Sequence, residues 1–260
     1  MNTKNEAPIG VFDSGLGGLS VVKTLRRLMP RENIIFFGDS ARNPYGTKTK
    51  KQVQDYSFEI VEAFSNLPVK AVVIACNTAT SAAAKELRKA FAFDIVGMEP
   101  ALKPAAELKT PSKIAVWATD LTLREEKFSH LRKRFDADHD IVLVACPKLV
   151  QLVEHDQLQD EQLVHDTLQH YIDQSQGAEF IVLGCTHFLF FKKQLQSLLG
   201  TSAKLIDGNE GTVRHLQALL KEKDLLAKEN QEGVLVIQNS DPAHTDLSWK
   251  LYEQLKEQDL

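Results

Sequence analysis

Cysteine is scarce in this chain, with three in 260 residues and none in a CxxC pair. That argues against a disulfide framework and for reduced thiols in the cytoplasm. Long apolar runs are missing as well, so no membrane span is expected. The opening stretch MNTKNEAPIG leads into its first strand without the apolar core of a signal peptide, which again fits a cytoplasmic protein. Lys and Arg are scattered and the formal net charge is −4. With no basic stripe, nucleic acid is not expected as the primary partner. His155, His165 and His170 lack acidic or cysteine partners at metal-ligand spacing, so no metal is expected. The glycine-rich turn DSGLGG lacks both the Lys-Ser/Thr of a P-loop and the spacing of GxGxxG, which leaves nucleotide binding a poor reading of it.

What is present is a soluble-enzyme composition, 43% hydrophobic and 25% charged, enough for one large core or two of about 100 to 150 residues. The chain is organised around AVVIACNTATSAA, residues 71 to 83, where an apolar, partly β-branched run ends in Cys76 and Ala-rich helical sequence follows. A thiol there faces a helix N-terminus, whose unpaired amides and dipole favour thiolate. The arrangement recurs in EFIVLGCTHFLFF, residues 179 to 191, with Cys185, Thr186 and His187. Two strand-end thiols suggest one site built from two halves.

Strand and helix alternate along the whole chain, the pattern of a mostly parallel sheet with covering helices. The strands IGVFD, NIIFFGD, AVVIAC and DIVG are echoed by KIAVWA, DIVLVAC, EFIVLGC and AKLID, each about 105 to 110 residues further on. That period points to a duplicated α/β unit, two similar mostly parallel-sheet domains; if they are facing each other, the active site lies in the cleft between them. A ninth strand, GVLVIQN, is left over and is placed in the first domain. The expected domains are 1–98 plus 211–260, and 99–210. The Lys- and Glu-rich run 221–232 reads as a solvated helix end and loop.

Parallel sheets bind ligands beyond the carboxyl ends of their strands. Those ends carry Asp13, Ser14, Asp39, Tyr45, Gly46, Cys76, Asn77 and Thr78 in the first half, and Thr119, Thr122, Cys146, Glu154, Cys185, Thr186 and His187 in the second. The set is rich in small donors and suits a small, multiply charged substrate. Taken singly, the residues have plainer readings. Asp13 and Ser14 could merely cap the first helix, Tyr45-Gly46 could be an ordinary turn, His187 could face solvent, and Glu154 could be one more surface charge. Cys146, before Pro147, reads as a packed, inert thiol.

Taken together, IGVFDSGLGGLSV, FFGDSARNPYGTKT, VVIACNTATSAA, CPKLVQLVE and VLGCTHF resemble the cofactor-independent aspartate/glutamate racemases, glutamate racemase above all. The resemblance covers residues 8 to about 210. It implies a cytoplasmic isomerase that interconverts L- and D-glutamate without a cofactor, supplies D-glutamate for peptidoglycan, and forms a homodimer. By position it implies Cys76 and Cys185 as the catalytic thiols, with Asp13, His187 and Glu154 assisting them. Asp13, Ser14, Tyr45, Gly46, Asn77, Thr78, Thr186 and His187 match its substrate-binding positions. The chain departs from the family pattern at Phe188, Leu189 and Phe190, where Tyr-Pro-Leu is usual, and at Glu125 and Gly208, where serine is common. We expect Asp13 on the Cys76 side and His187 on the Cys185 side. Three rival readings stand beside this one: another racemase of the superfamily, an amino-acid clamp without turnover, and a thiol redox protein pairing Cys76 with Cys185.

Overall fold

The computed structural model describes residues 4–98 and 101–256. Glu99 and Pro100, at the expected domain junction, lie outside the described residues. The elements run β1 (Ile9–Asp13), α1 (Leu19–Leu28), β2 (Ile34–Gly38), α2 (Lys50–Ser65), β3 (Ala71–Ile74), α3 (Asn77–Ala90), β4 (Asp94–Gly97) and α4 (Leu102–Ala106). There follow β5 (Lys113–Ala118), α5 (Asp120–Arg124), α6 (Glu126–Lys133), β6 (Asp140–Ala145), α7 (Pro147–Glu154), α8 (Glu161–Gln174) and β7 (Phe180–Leu183). The chain ends through α9 (Lys192–Leu199), β8 (Lys204–Asp207), α10 (Asn209–Glu222), β9 (Leu235–Asn239) and α11 (Thr245–Lys256).

The strands form two sheets, β4-β3-β1-β2-β9 and β6-β5-β7-β8. Every pairing is parallel. Read from the other edge, the second sheet runs β8-β7-β5-β6, the same order as β4-β3-β1-β2 in the first. β9 has no counterpart in the second sheet and pairs with β2, Ile34 opposite Leu235. β1, β3 and β7 are buried along their whole length, as central parallel strands covered on both faces must be.

Local sequence explains where the helices begin. Thr49 closes a capping box with Gln52 at the start of α2, its side chain accepting from the Gln52 amide. Pro147 opens α7, where its missing N–H is no loss. The largest apolar cluster draws on both sheets, joining Ile9, Val11 and Phe36 to Trp117, Ile181 and Phe191 by way of α1, α10 and α11. Trp117 is fully buried, and its indole N–H donates to Ser175 Oγ at 2.8 Å. Among the described residues no helix is long and apolar enough to cross a membrane.

The run 221–232 is the exposed helix end and loop expected of it over most of its length, but its middle is anchored. Leu225 and Leu226 pack against the large cluster, and the Ala227 amide donates to Glu32 Oε1 at 2.9 Å. Glu32 in turn pairs with Lys70 at 2.5 Å, both side chains 2% exposed, while Lys70 also donates to the Asn5 and Leu225 carbonyls. The charges in the sequence run lie outside this anchor, and Lys70 is far from it in sequence. Removing one member of a buried pair strands the other. Lys70→Met is therefore expected to lower the unfolding free energy by about 3–5 kcal/mol, with part of the loss regained in Lys70→Met/Glu32→Gln. Urea unfolding of the three proteins measures this, and an unchanged midpoint in Lys70→Met would show that the pair contributes nothing.

Candidate active site

Because all strands within each sheet run the same way, their carboxyl ends gather the residues that follow them. β1 delivers Asp13 and Ser14, β2 delivers Asp39, and β3 delivers Cys76. Cys76 is the N-cap of α3, its sulfur accepting from the Ala79 amide at 3.4 Å and its thiol donating to Ser14 Oγ at 3.6 Å. β7 delivers Cys185, but here the local structure differs. A 3-10 helix, Thr186–Phe191, intervenes before α9, and no amide caps the sulfur. All six of its residues are buried, including Phe188, Leu189 and Phe190, where the chain departs from the family pattern.

The partner of Cys185 is instead a side chain. His187 Nδ1 lies 3.7 Å from its sulfur, and His187 Nε2 lies 2.6 Å from Glu154 Oε1. Glu154, at the last residue of α7, is buried. It accepts from the Leu16 amide at 2.7 Å, from Ser40 Oγ at 3.1 Å and from Asn43 Nδ2 at 3.4 Å. One carboxylate thus ties the second half's histidine to the turn after β1 and the loop after β2. The glycines of that turn permit the approach. A Cβ on Gly15 would lie 2.0 Å from Glu154 Oε1, and one on Gly17 would lie 2.4 Å from His187 Nδ1. The space beside Gly15 and Gly17 is thus filled by Glu154 and His187.

Asp13 also spans the halves. Its Oδ1 accepts from the Gly15 amide at 3.1 Å, and its Oδ2 from Thr186 Oγ1 at 3.0 Å. It sits on the strand next to β3, and its charge acts on Cys76, yet the side chain that donates to it, Thr186, belongs to the Cys185 half. Burial pushes the Asp13 carboxyl up to about 6, against the opposing pull of His187 and Thr186. Burial likewise pushes the Cys76 thiol up to about 12, helped by the charge of Asp13, and the Ala79 amide and Ser14 offset only part of this. The expected thiolate bias at Cys76 is therefore overturned: desolvation outweighs the helix N-terminus. For His187 burial works the other way, disfavouring the cation, but Cys185 and Glu154 together outweigh it and hold the imidazole well above its ordinary range.

The remaining strand-end residues are placed as follows. Tyr45 is buried and its hydroxyl donates to Asp39 Oδ2, so it has only its main chain to offer a ligand. Gly46 presses against Thr119, where a Cβ would come within 2.8 Å. Thr78 Oγ1 meets Thr119 Oγ1 at 2.9 Å and Thr122 Oγ1 at 3.2 Å, a hydroxyl cluster shared between the halves. Asn77 Nδ2 reaches the Met98 carbonyl at 3.5 Å. The Asn77 and Thr78 amides open α3 and have no intrahelical acceptor. Cys146 is fully buried, its thiol directed at the Val144 carbonyl 3.5 Å away, and burial raises its pKa. Ser40 and Asn43, which hold Glu154, went unnoticed in the sequence. Their place in the loop after β2 was the only available signal. No group of three or more His, Cys, Asp or Glu side chains among the described residues could hold a metal ion.

The profile of the Asp/Glu/hydantoin racemases matches residues 9–216. The chain belongs to this family. A glutamate racemase of Bifidobacterium adolescentis is 53% identical over 239 residues, 90% of this chain and 93% of that one. A second, from Bifidobacterium animalis subsp. lactis, is 49% identical over 256 residues, 96% and 99% of the two chains. Among solved structures, a glutamate racemase isoform of Bacillus anthracis superposes with a TM-score of 0.84 at 28% identity, covering 97% of this chain and 93% of that one. The Thermus thermophilus glutamate racemase, solved with beta-chloro-D-alanine, gives 0.80 at 35% identity, covering 98% and 95%. The family fold therefore extends over both sheets of this chain, beyond the segment that the profile matches. In this racemase fold the two half-sites described above are contributed by the two sheets of one chain.

Proposed function

We propose that this chain is an isomerase that interconverts L- and D-glutamate by a cofactor-independent reaction with Cys76 and Cys185 as its two bases. Racemisation removes the α-proton from one face and returns a proton to the other, so one thiol on each side of the substrate spares it from turning over. In the L to D direction, the Cys185 thiol passes its proton to His187 Nδ1, and Glu154 steadies the resulting imidazolium through Nε2. The Cys185 thiolate takes the α-proton. Cys76, whose burial keeps it protonated, delivers its own proton to the opposite face. The reverse reaction starts from the Cys76 thiolate and D-glutamate. The substrate carboxylates and amine are held by Ser14, Asn77, Thr78, Thr186 and the amides of Tyr45 and Gly46. Donors fixed in place before reaction stabilise charge as it develops.

What supports this reading is the unequal pair of buried thiols, one capped by a helix amide and one backed by a His–Glu pair, in a racemase fold. The half-site of Asp13 and Cys76 belongs to residues 1–98 with 211–260, and that of Cys185 and His187 to 99–210. The enzyme works in the cytoplasm as a homodimer and supplies D-glutamate for peptidoglycan.

Solvent isotope labelling tests the two-base step. In deuterium oxide both thiols exchange to S–D. The first D-glutamate formed from L-glutamate is then expected to carry deuterium at the α-carbon, while unreacted L-glutamate stays largely unlabelled. Proton NMR of the α-position over the first few per cent of reaction, run from each enantiomer, reads this. Early product retaining mostly protium would show one base serving both faces.

A further inference from the structure

Asp39 follows β2 directly and is fully buried. The reaction scheme above gives it no part. Its Oδ2 accepts from Arg42 Nε at 2.7 Å and from the Tyr45 hydroxyl at 2.5 Å, whereas its Oδ1, also buried, has no partner among the described residues. A buried acceptor left unpaired costs about 1–3 kcal/mol, and such a group calls for a reason beyond stability. An amide oxygen turned to this place could accept from both donors, but only a carboxylate also brings the charge that pairs with the guanidinium.

The two donors are themselves fixed. Arg42 Nη1 reaches Glu59 at 2.5 Å, and its guanidinium lies 4.4 Å over the Tyr56 ring. Tyr56 packs 5.7 Å from the Tyr45 ring, centroid to centroid. Tyr45 therefore has both its ring and its hydroxyl held, and it shares an apolar cluster with Cys76. It is the first residue of the 3-10 turn Tyr45–Thr47, whose opening amides find no acceptor within the turn. On its far side the turn is stopped by Thr119 against Gly46. Within the turn the Lys48 amide donates to the Tyr45 carbonyl at 3.1 Å, and the polar contact of the Tyr45 side chain ends on Asp39.

We infer that Asp39 is a positioning residue for substrate: by holding Arg42 and the Tyr45 hydroxyl on one oxygen, it aims the Tyr45 and Gly46 amides at a carboxylate of glutamate. This rests on the reading of the site as a glutamate racemase. Tyr45→Phe keeps the ring and deletes the hydroxyl, and Asp39→Asn keeps an oxygen for both donors but removes the charge paired with the Arg42 guanidinium. Each is expected to raise KM for glutamate about tenfold, the worth of about one hydrogen bond, with a smaller change in kcat. The double variant should be little worse than either single, because both act through one contact. A lower melting temperature with KM unchanged in Tyr45→Phe would reduce Asp39 to a structural role and overturn the inference. So would a loss confined to kcat, which would move Asp39 into proton transfer. If Asp39→Asn fails to fold, Tyr45→Phe alone decides. A parent protein without racemase activity would instead sink the functional reading, and glutamate titration calorimetry would then compare parent with Tyr45→Phe. Equal affinities there would overturn the positioning role.

Discussion

Cys76→Ala and Cys185→Ala are each expected to lower the rate of glutamate racemisation by about four orders of magnitude, the upper end of what one positioned acid–base group contributes. Cys146→Ala is expected to stay within about twofold of the parent. All three thiols are buried, so burial alone does not separate them. Their partners do. Cys76 has a helix amide, Ser14 and the nearby charge of Asp13. Cys185 has an imidazole backed by a carboxylate. Cys146 has one backbone carbonyl and an apolar surround, and neither can accept or return a proton. Its loss leaves a small void, for which a cost of about 1 kcal/mol in stability is expected, to be read from the melting temperature. Circular dichroism of L-glutamate mixtures measures the rates. A folded but inactive Cys146→Ala would show that the pair of thiols has been wrongly chosen.

The fold was largely legible in the order of apolar runs. β1, β3 and β7 are central strands, so their sequences are almost wholly apolar and stand out, and the thiols directly after β3 and β7 stand out with them. The repeated strand order follows from the repeated run of elements. Glu154 was less open to reading. In QLVEHDQLQDE it resembles its charged neighbours, and only the docking of the α7 end against the turn after β1 buries it; its place near a strand end put it in the candidate set, but its part beside the thiols came from family resemblance alone. The protonation preference of Cys76 was misread for a related reason. A helix N-terminus can be recognised from sequence, but the desolvation that opposes it depends on how completely the second half covers the site. The part played by Asp39 was hidden in the same way, since a carboxylate at a strand end says nothing of the tyrosine and arginine that will fold back on it.

Glu154→Gln is expected to lower kcat/KM by about two to three orders of magnitude, and the loss should be lopsided in a way that identifies the thiol it serves. The glutamine cannot balance an imidazolium at His187, so the proton on Cys185 loses its destination, and the amide nitrogen competes poorly for the donors Leu16, Ser40 and Asn43. Since L- and D-glutamate have equal free energies, kcat/KM must fall by the same factor in both directions whichever thiol is crippled. Rates of racemisation therefore cannot tell the sides apart. Slow exchange of the α-proton over a long incubation in deuterium oxide can, because it needs only the thiol on the substrate's own face and an occasional swap of its captured proton with solvent before that proton is returned. With Cys185 weakened and Cys76 intact, D-glutamate should continue to take up α-deuterium while L-glutamate takes up very little. The parent sets the pH range for the measurement. Asp13, with its carboxyl near 6, is ionised above that pH and its charge raises the Cys76 thiol, so parent and variant are compared at one pH above 6. Equal slowing of α-exchange for both enantiomers in Glu154→Gln would mean that Glu154 holds the halves together without serving Cys185 in particular, and the division of the site into an imidazole-backed thiol and an amide-capped thiol would fall.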